Sequence, residues 1–238
     1  HDAYAWTQPE KAGRLRTQYW RLMIPATIRR AKTVIAVSHS TARDLATCLD
    51  LPESVIAVVH EAGNHVHRCR EDPEVIRSAN LDCNGYFLAV GIFKRVKNPE
   101  RILHSYIEYR EKCVASGLQP RDLVLCGGAL GSYASALVMR ANSIDGVRLL
   151  GRVDDASLKA LYMHASGLIF VSLYEGFGLP ILEAQELRCP VVTGSCSSMP
   201  EVAGKGAIVV PVDDPSAIAS AMIQLHDRDF VENLRRDG

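Results

Sequence analysis

From Tyr86 to the end of the chain, short runs rich in Val, Ile and Leu alternate with longer segments of helical period. Runs that are apolar on both sides of the strand repeat suit strands covered on both faces. A helical segment after each run is the crossover that a parallel sheet demands. The runs fall at 86–90, 122–126, 147–150, 167–172, 191–193 and 207–210. Between them, one helix is read from Asp154 or Asp155 to Ala165. Its Leu158, Leu161, Tyr162 and Ala165 make one apolar stripe, and the two aspartates suit its positive end. The fold class is therefore α/β.

The first eighty residues differ. A basic helical stretch over 10–30 precedes a strand at 33–37, a helix at 41–49 and a strand at 55–60. This is one βαβ unit with an extra helix, too small for a sound core of its own. The polar stretch 61–84 then reads as an interdomain linker. The division predicted is 1–82 for a partial N-terminal domain with its linker and 83–238 for a second, complete one.

Composition excludes several classes of partner. Twenty-seven basic residues balance twenty-seven acidic ones, so no global field draws the chain to nucleic acid, and any phosphate must be held by a local site. No apolar run reaches the roughly 18 residues of a membrane helix. Eight Lys or Arg in the first 45 residues, against Asp2, Glu10 and Asp44, stand near Trp20, Leu22, Met23 and Ile24. That combination suits weak peripheral contact with anionic lipid, although packing of the apolar residues on the rest of a domain is the stronger reading. Seven cysteines without a C-x-x-C pair argue against a disulfide framework and a zinc finger, and point to a cytoplasmic location. His65 and His67 share one face of an extended strand near His60, but two histidines do not complete a metal site, so none is expected. Asp227-Arg228-Asp229 is read as surface charge. No dinucleotide, P-loop or nucleophile-elbow motif occurs.

The chemistry concentrates between Gly167 and Glu183. A buried strand enters the loop Leu173-Tyr174-Glu175-Gly176-Phe177-Gly178, and a helix opens near Leu179-Pro180, proline being suited to the first turn. Two glycines allow close approach of a ligand, and the helix end offers unpaired N–H groups to a phosphate or diphosphate. Glu175 and Glu183, with seven residues between them, can face one crevice and grip sugar hydroxyls. On spacing alone the plain alternative stands equally: a common strand-to-helix turn, with Glu183 as a good helix former.

Glu175-Gly176-Phe177-Gly178-Leu179-Pro180-Ile181-Leu182-Glu183-Ala184 resembles the signature of the retaining glycosyltransferases of the GT-B fold known as glycosyl transferases group 1. The likeness extends through Gly151-Arg152-Val153, Ser197 to Gly204 and Pro211 to Pro215, and upstream through Val34 to Leu45. It implies a C-terminal Rossmann-like parallel sheet with helices on both faces, plus a partial N-terminal Rossmann-like domain. Most of that domain, which supplies much of the acceptor site in the family, and a final crossing helix would lie outside the chain. The implied activity moves a sugar from a UDP- or GDP-linked donor to a glycan or lipid-linked acceptor, with retention and without metal or other cofactor.

By the same resemblance, Glu175 contacts the transferred sugar and Glu183 the ribose. Phe177, Gly178 and Leu179 offer backbone donors to sugar and diphosphate. Lys97, in the turn that Gly91 opens, neutralises the leaving diphosphate, and Arg95 stands in for an arginine that the family carries beside it. Arg152 and Val153 meet the base through backbone groups. His1-Asp2 resembles a histidine-led motif near the transferred sugar, which makes His1 a third catalytic candidate. Arg188 occupies a position where the family carries glycine, and it is read as complementing the negative end of its helix. Glu201, three residues after Ser198, reads as a capping box. Two rival functions follow from the same residues: nucleotide-sugar binding without turnover, and a sugar-nucleotide epimerase, which lacks the paired-glutamate signature.

Overall fold

The computed structural model describes residues 14–28, 30–128 and 131–238, so His1 falls outside the described residues. Six runs expected as strands are strands, all parallel: β3 (Tyr86–Val90), β4 (Asp122–Cys126), β5 (Val147–Gly151), β6 (Gly167–Phe170), β7 (Val191–Gly194) and β8 (Ala207–Val210). Upstream, β1 (Val34–Ala36) and β2 (Ile56–Val58) form a separate parallel pair. The helices are α1 (Arg14–Ile28), α2 (His39–Leu49), α3 (Glu74–Ser78), α4 (Pro99–Ala115), α5 (Ser132–Asn142), α6 (Asp155–His164), α7 (Leu179–Glu186), α8 (Met199–Ala203), α9 (Pro215–Gln224) and α10 (Arg228–Asp237). Among the described residues no helix is long and apolar enough to cross a membrane.

Strand periodicity sorts the side chains of the six-stranded sheet into two cores. Phe87, Ala89, Leu123, Leu125, Ile169 and Val192 enter one layer with α4, α5, α9 and α10. Tyr86, Leu88, Val124, Leu168, Phe170 and Val191 enter the other with α6, α7 and α8. Each buried Val, Leu, Ile or Phe among them contributes about 1.5–3 kcal/mol, whereas an exposed ion pair contributes about 0–1 kcal/mol. The two apolar layers, rather than surface charge, therefore carry the fold. All seven cysteines are free.

Sheet order is β5-β4-β3-β6-β7-β8. The chain builds outward from β3 in one direction, then returns beside β3 with β6 and builds outward in the other. Between β3 and β6 the two crossovers diverge, which is where an open parallel sheet leaves a crevice at its carboxyl edge. The strand expected over 167–172 leaves the sheet after Phe170, because the Leu173 N–H turns to the Val96 carbonyl at 2.8 Å and ties the two loops together.

The stretch 61–84 is more than a polar linker. Val66, Ile76 and Leu81 are buried, and α3 packs on α6. Its backbone also lies on α7: a Cβ added to Gly63 would come within 2.9 Å of Leu182 Cβ and 3.0 Å of its carbonyl carbon. The buried residues, joined by the partly buried Val75 and Ala79, are scattered among polar ones and carry no sustained period that sequence reading can detect. Asp227 likewise is no idle surface charge, since its carboxylate accepts the Asp229 and Phe230 N–H groups and caps α10.

Two features of the fold carry stability predictions. Arg188 sits just past α7 at φ +57, in the left-handed region that favours glycine. Its guanidinium reaches Glu232 at 3.8 Å with both side chains exposed, and this pair stabilises little. Arg188→Gly is expected to remove a left-handed penalty of about 1 kcal/mol. The midpoint of thermal unfolding should rise by about 2–4 °C, and a fall would refute the assignment.

The His226 imidazole meets the Tyr109 hydroxyl at 2.8 Å. Burial, and then the neighbouring Arg121 guanidinium, hold its pKa below the ordinary 6.5. The unfolded chain therefore binds this proton first, and the stability contributed by neutral His226 is present above pH 6.5 and lost as pH falls through that value towards the folded one. Urea unfolding should show a lower midpoint at about pH 5.5 than at about pH 7.5, and His226→Asn should narrow that difference. An unchanged difference in the variant would contradict this account.

Candidate active site

The crevice between β3 and β6 is walled by the loops that follow them. Gly91 ends β3 at φ +64, and its Cα sits so near Lys97 that an added Cβ would stand 3.6 Å from Lys97 Cε. A single turn, Arg95–Lys97, then lifts Lys97 over the sheet. Lys97 Nζ donates to Glu175 Oε1 at 2.7 Å, with both side chains only 16% exposed. The same ammonium lies 4.6 Å from the centre of the Phe170 ring. The structure thus brings two predicted residues into contact across the point where the strand order reverses.

Asn98, which sequence reading passed over, holds this arrangement. It adopts φ +58 at the head of α4, and its side-chain amide donates to the carbonyls of Val171 at 3.2 Å and Val212 at 2.7 Å. One side chain therefore fastens the lysine turn to the ends of β6 and β8. Arg95, expected beside Lys97, lays its guanidinium on the Tyr133 ring at 4.5 Å.

The loop 173–178 is gripped from outside by serines. Ser197 Oγ accepts the Glu175 N–H at 3.1 Å and donates back to the Glu175 carbonyl. Ser198 Oγ, fully buried, bonds the carbonyls of Glu175 at 3.0 Å and Phe177 at 2.6 Å. The capping box expected from Ser198 and Glu201 is therefore absent, and no side chain caps α8. Glu201 instead accepts the N–H groups of His39 at 2.7 Å and Ser40 at 3.1 Å, capping α2 across the interface. Burial works to raise its pKa, but these N–H groups, with the His60 ring at 2.8 Å, hold it below the usual carboxylate value.

From the other side, the β1–α2–β2 unit docks on the same loop. Ser38 Oγ and Thr41 Oγ1 both donate to the Gly176 carbonyl, at 2.7 and 2.8 Å, and Tyr174 donates to Asp44 at 2.8 Å. The loop carbonyls of 175–177 thus turn outward to hydroxyls. Gly178 follows at φ +111 and opens α7 without a side-chain cap. A Cβ there would meet Ile181 Cδ1 at 3.3 Å. The N–H groups of Phe177, Gly178 and Leu179 have no partner among the described residues.

Glu183 lies one turn into α7, on the far side of that bend. Its carboxylate accepts the Tyr162 hydroxyl at 2.8 Å and meets His65 Nε2 at 3.1 Å. Burial, and then the Glu183 charge, push the Tyr162 phenol well above its usual range, so it remains a donor. Glu183, His65, Tyr162, Lys159 and Asp155 line a cavity of about 250 Å³. Glu175 is not on the wall of that cavity, so the two carboxylates do not share this cavity, although their spacing permits one crevice, and lie at opposite ends of the bend. Arg152, exposed, and Val153, half-buried, follow Gly151 directly before the Asp154 cap of α6, whose first turn reaches the Glu183 cavity. Tyr162 was read as part of an apolar stripe. Its hydroxyl was the signal of a polar partner.

Comparison with known proteins agrees with the signature. The O-antigen chain mannosyltransferase B of Escherichia coli is 29% identical over 230 residues, which cover 94% of this chain and 59% of that protein. For the O-antigen chain mannosyltransferase RfbU of Salmonella typhimurium the figures are 27% over 225 residues, 93% and 58%. The chain spans less than two thirds of the length of these relatives. Among solved structures, sucrose-phosphate synthase from Thermosynechococcus elongatus aligns with a TM-score of 0.73 at 22% identity, covering 93% of this chain and 56% of that one. WaaG, a glycosyltransferase involved in lipopolysaccharide biosynthesis, aligns with a TM-score of 0.71 at 14% identity, covering 99% and 68%. The architecture is of the GT-B type. The family profile of the glycosyl transferases group 1 matches residues 84–228, the whole six-stranded sheet with its loops, and the chain belongs to that family.

Proposed function

We propose that this chain carries the donor side of a retaining glycosyltransferase, which moves a sugar from a UDP- or GDP-linked donor to a hydroxyl of a glycan or lipid-linked acceptor. One observation carries the reading. Three unpartnered N–H groups, at Phe177, Gly178 and Leu179, lie at the N-terminus of α7, in the loop whose Glu175 carboxylate is bonded by the Lys97 ammonium. Oriented amides and an ammonium suit an anionic diphosphate. Lys97 has three donors and gives one to Glu175, so it can bond a phosphate oxygen without releasing the carboxylate. Glu183, at the opposite end of the bend, suits ribose hydroxyls.

In the proposed reaction, the bond from the anomeric carbon to the diphosphate oxygen breaks and the acceptor oxygen bonds to that carbon from the same face. The acceptor proton passes to the departing phosphate. Lys97 and the N–H groups of the bend stabilise the charge that builds on the leaving group. Arg95 adds a second cation if it leaves the Tyr133 ring. The relatives named as mannosyltransferases make GDP-mannose the first donor to test. The acceptor site belongs, by the family resemblance, to the N-terminal domain, of which this chain holds one βαβ unit. The exposed Trp20, Leu22 and Met23 of α1 suit packing on the rest of that domain, with a membrane surface as the weaker alternative.

Calorimetric titration with UDP, GDP and their sugars tests the site. Lys97→Ala is expected to weaken a nucleoside diphosphate by about 1.5–3 kcal/mol, the range of a charged hydrogen bond, and to leave the bare nucleoside unaffected. Glu183→Ala should weaken both. If neither substitution weakens any nucleotide, the assignment fails. Product analysis with donor and acceptor then separates transfer, which yields a glycoside, from epimerisation and from binding without turnover.

A further inference from the structure

Outside the crevice, His39, His60 and Glu201 converge. His39 heads α2, His60 follows β2, and Glu201 lies in α8 of the other unit. One ligand-type atom from each lies within 4.8 Å of the other two. His60 Nε2 stands 2.8 Å from Glu201 Oε1. We propose that these three side chains bind a divalent zinc-class ion that ties the β1–α2–β2 unit to the six-stranded sheet.

The donor set argues for the ion's identity. Two imidazoles and one carboxylate form a ligand set typical of zinc sites that keep a fourth position for water. Calcium and magnesium prefer sites made wholly of oxygen. Ligands about 2.1 Å from a tetrahedral ion stand about 3.4 Å apart. The three ligand atoms lie within 4.8 Å of one another, so binding requires the two exposed histidines to shift towards that spacing.

The surroundings argue that the ligands are held. Glu201 is fixed by the His39 and Ser40 N–H groups, the outer bonds that orient a metal-binding carboxylate. The His60 ring is packed between the His39 ring, at 5.7 Å and 83°, and the Phe177 ring, at 5.8 Å. A hydrogen bond to Glu201 would need only one imidazole, and the second completes a ligand set. The two histidines also line a cleft of about 570 Å³ with Ala42, Arg43, Ile56 and Val58, and Glu201 stands outside its wall. The ion takes no part in sugar transfer. It bridges the two units beside the loop that Ser38 and Thr41 already grip.

The test uses the purified chain after treatment with a chelator. Zn²⁺ is titrated by calorimetry and Co²⁺ by visible absorption, with thermal unfolding followed in parallel. One equivalent should bind and raise the unfolding midpoint. Cobalt should show the d–d bands of a tetrahedral site without the thiolate charge-transfer band that cysteine ligation would add. His39→Ala and His60→Ala, both at exposed positions, should each weaken binding about tenfold or more and remove the stabilisation. His67→Ala and His104→Ala should leave both unchanged. Absence of binding, a thiolate band, or affinity indifferent to His39→Ala and His60→Ala overturns the proposal. None of these results depends on whether the chain binds a nucleotide.

Discussion

Everything at the candidate site depends on the contact between Lys97 and Glu175 across the gap where the sheet changes direction. The two residues belong to loops leaving neighbouring parallel strands, β3 and β6, whose crossovers run to opposite sides. Nothing in either strand ladder holds those loops together. The Leu173 to Val96 backbone bond, the amide of Asn98 and the Lys97–Glu175 pair do so. A lysine and a glutamate that are only 16% exposed have lost much of their hydration, so each is stable there chiefly because of the other. The pair, neutral overall, leaves two further donors of the Lys97 ammonium beside the bend for an anion to share.

The second constraint is where the loop's polar backbone groups go. Hydroxyls of Ser38, Thr41, Ser197 and Ser198 accept the task of satisfying the carbonyls of residues 175–177. With the carbonyls occupied outward, the amides of residues 177–179 remain for something else. The loop is thus pinned by two units at once, and Glu201 strengthens the join by capping α2 from α8.

Much of this was legible in the residues, and what was not has identifiable causes. All six sheet strands follow from their apolar runs, because burial on both faces leaves no choice of composition. Glu175, Gly178 and Glu183 belong to one long motif, Lys97 to a separate match over Gly91 to Asn98, and the four stand around one bend. Partners distant in sequence were not legible: His65 on Glu183, Tyr162 on Glu183, Glu201 on His39. Each uses a polar atom that a local pattern reads as cap, stripe or linker, and only the fold brings the partner. The Ser198–Glu201 capping box failed for that reason. The spacing was right, but the buried loop carbonyls and the open end of α2 had stronger claims on the two side chains. Arg188 shows the reverse case, a position whose left-handed backbone survives without the residue that prefers it.

The central claim is that the bend at Gly178 cups a diphosphate with its own amides. Amide NMR of the labelled chain during titration with UDP or GDP tests it most directly. The account predicts large shifts of the Phe177, Gly178 and Leu179 resonances with either diphosphate, and none of that size with the corresponding nucleoside. Saturation with both diphosphates while those three amides stay in place would contradict it.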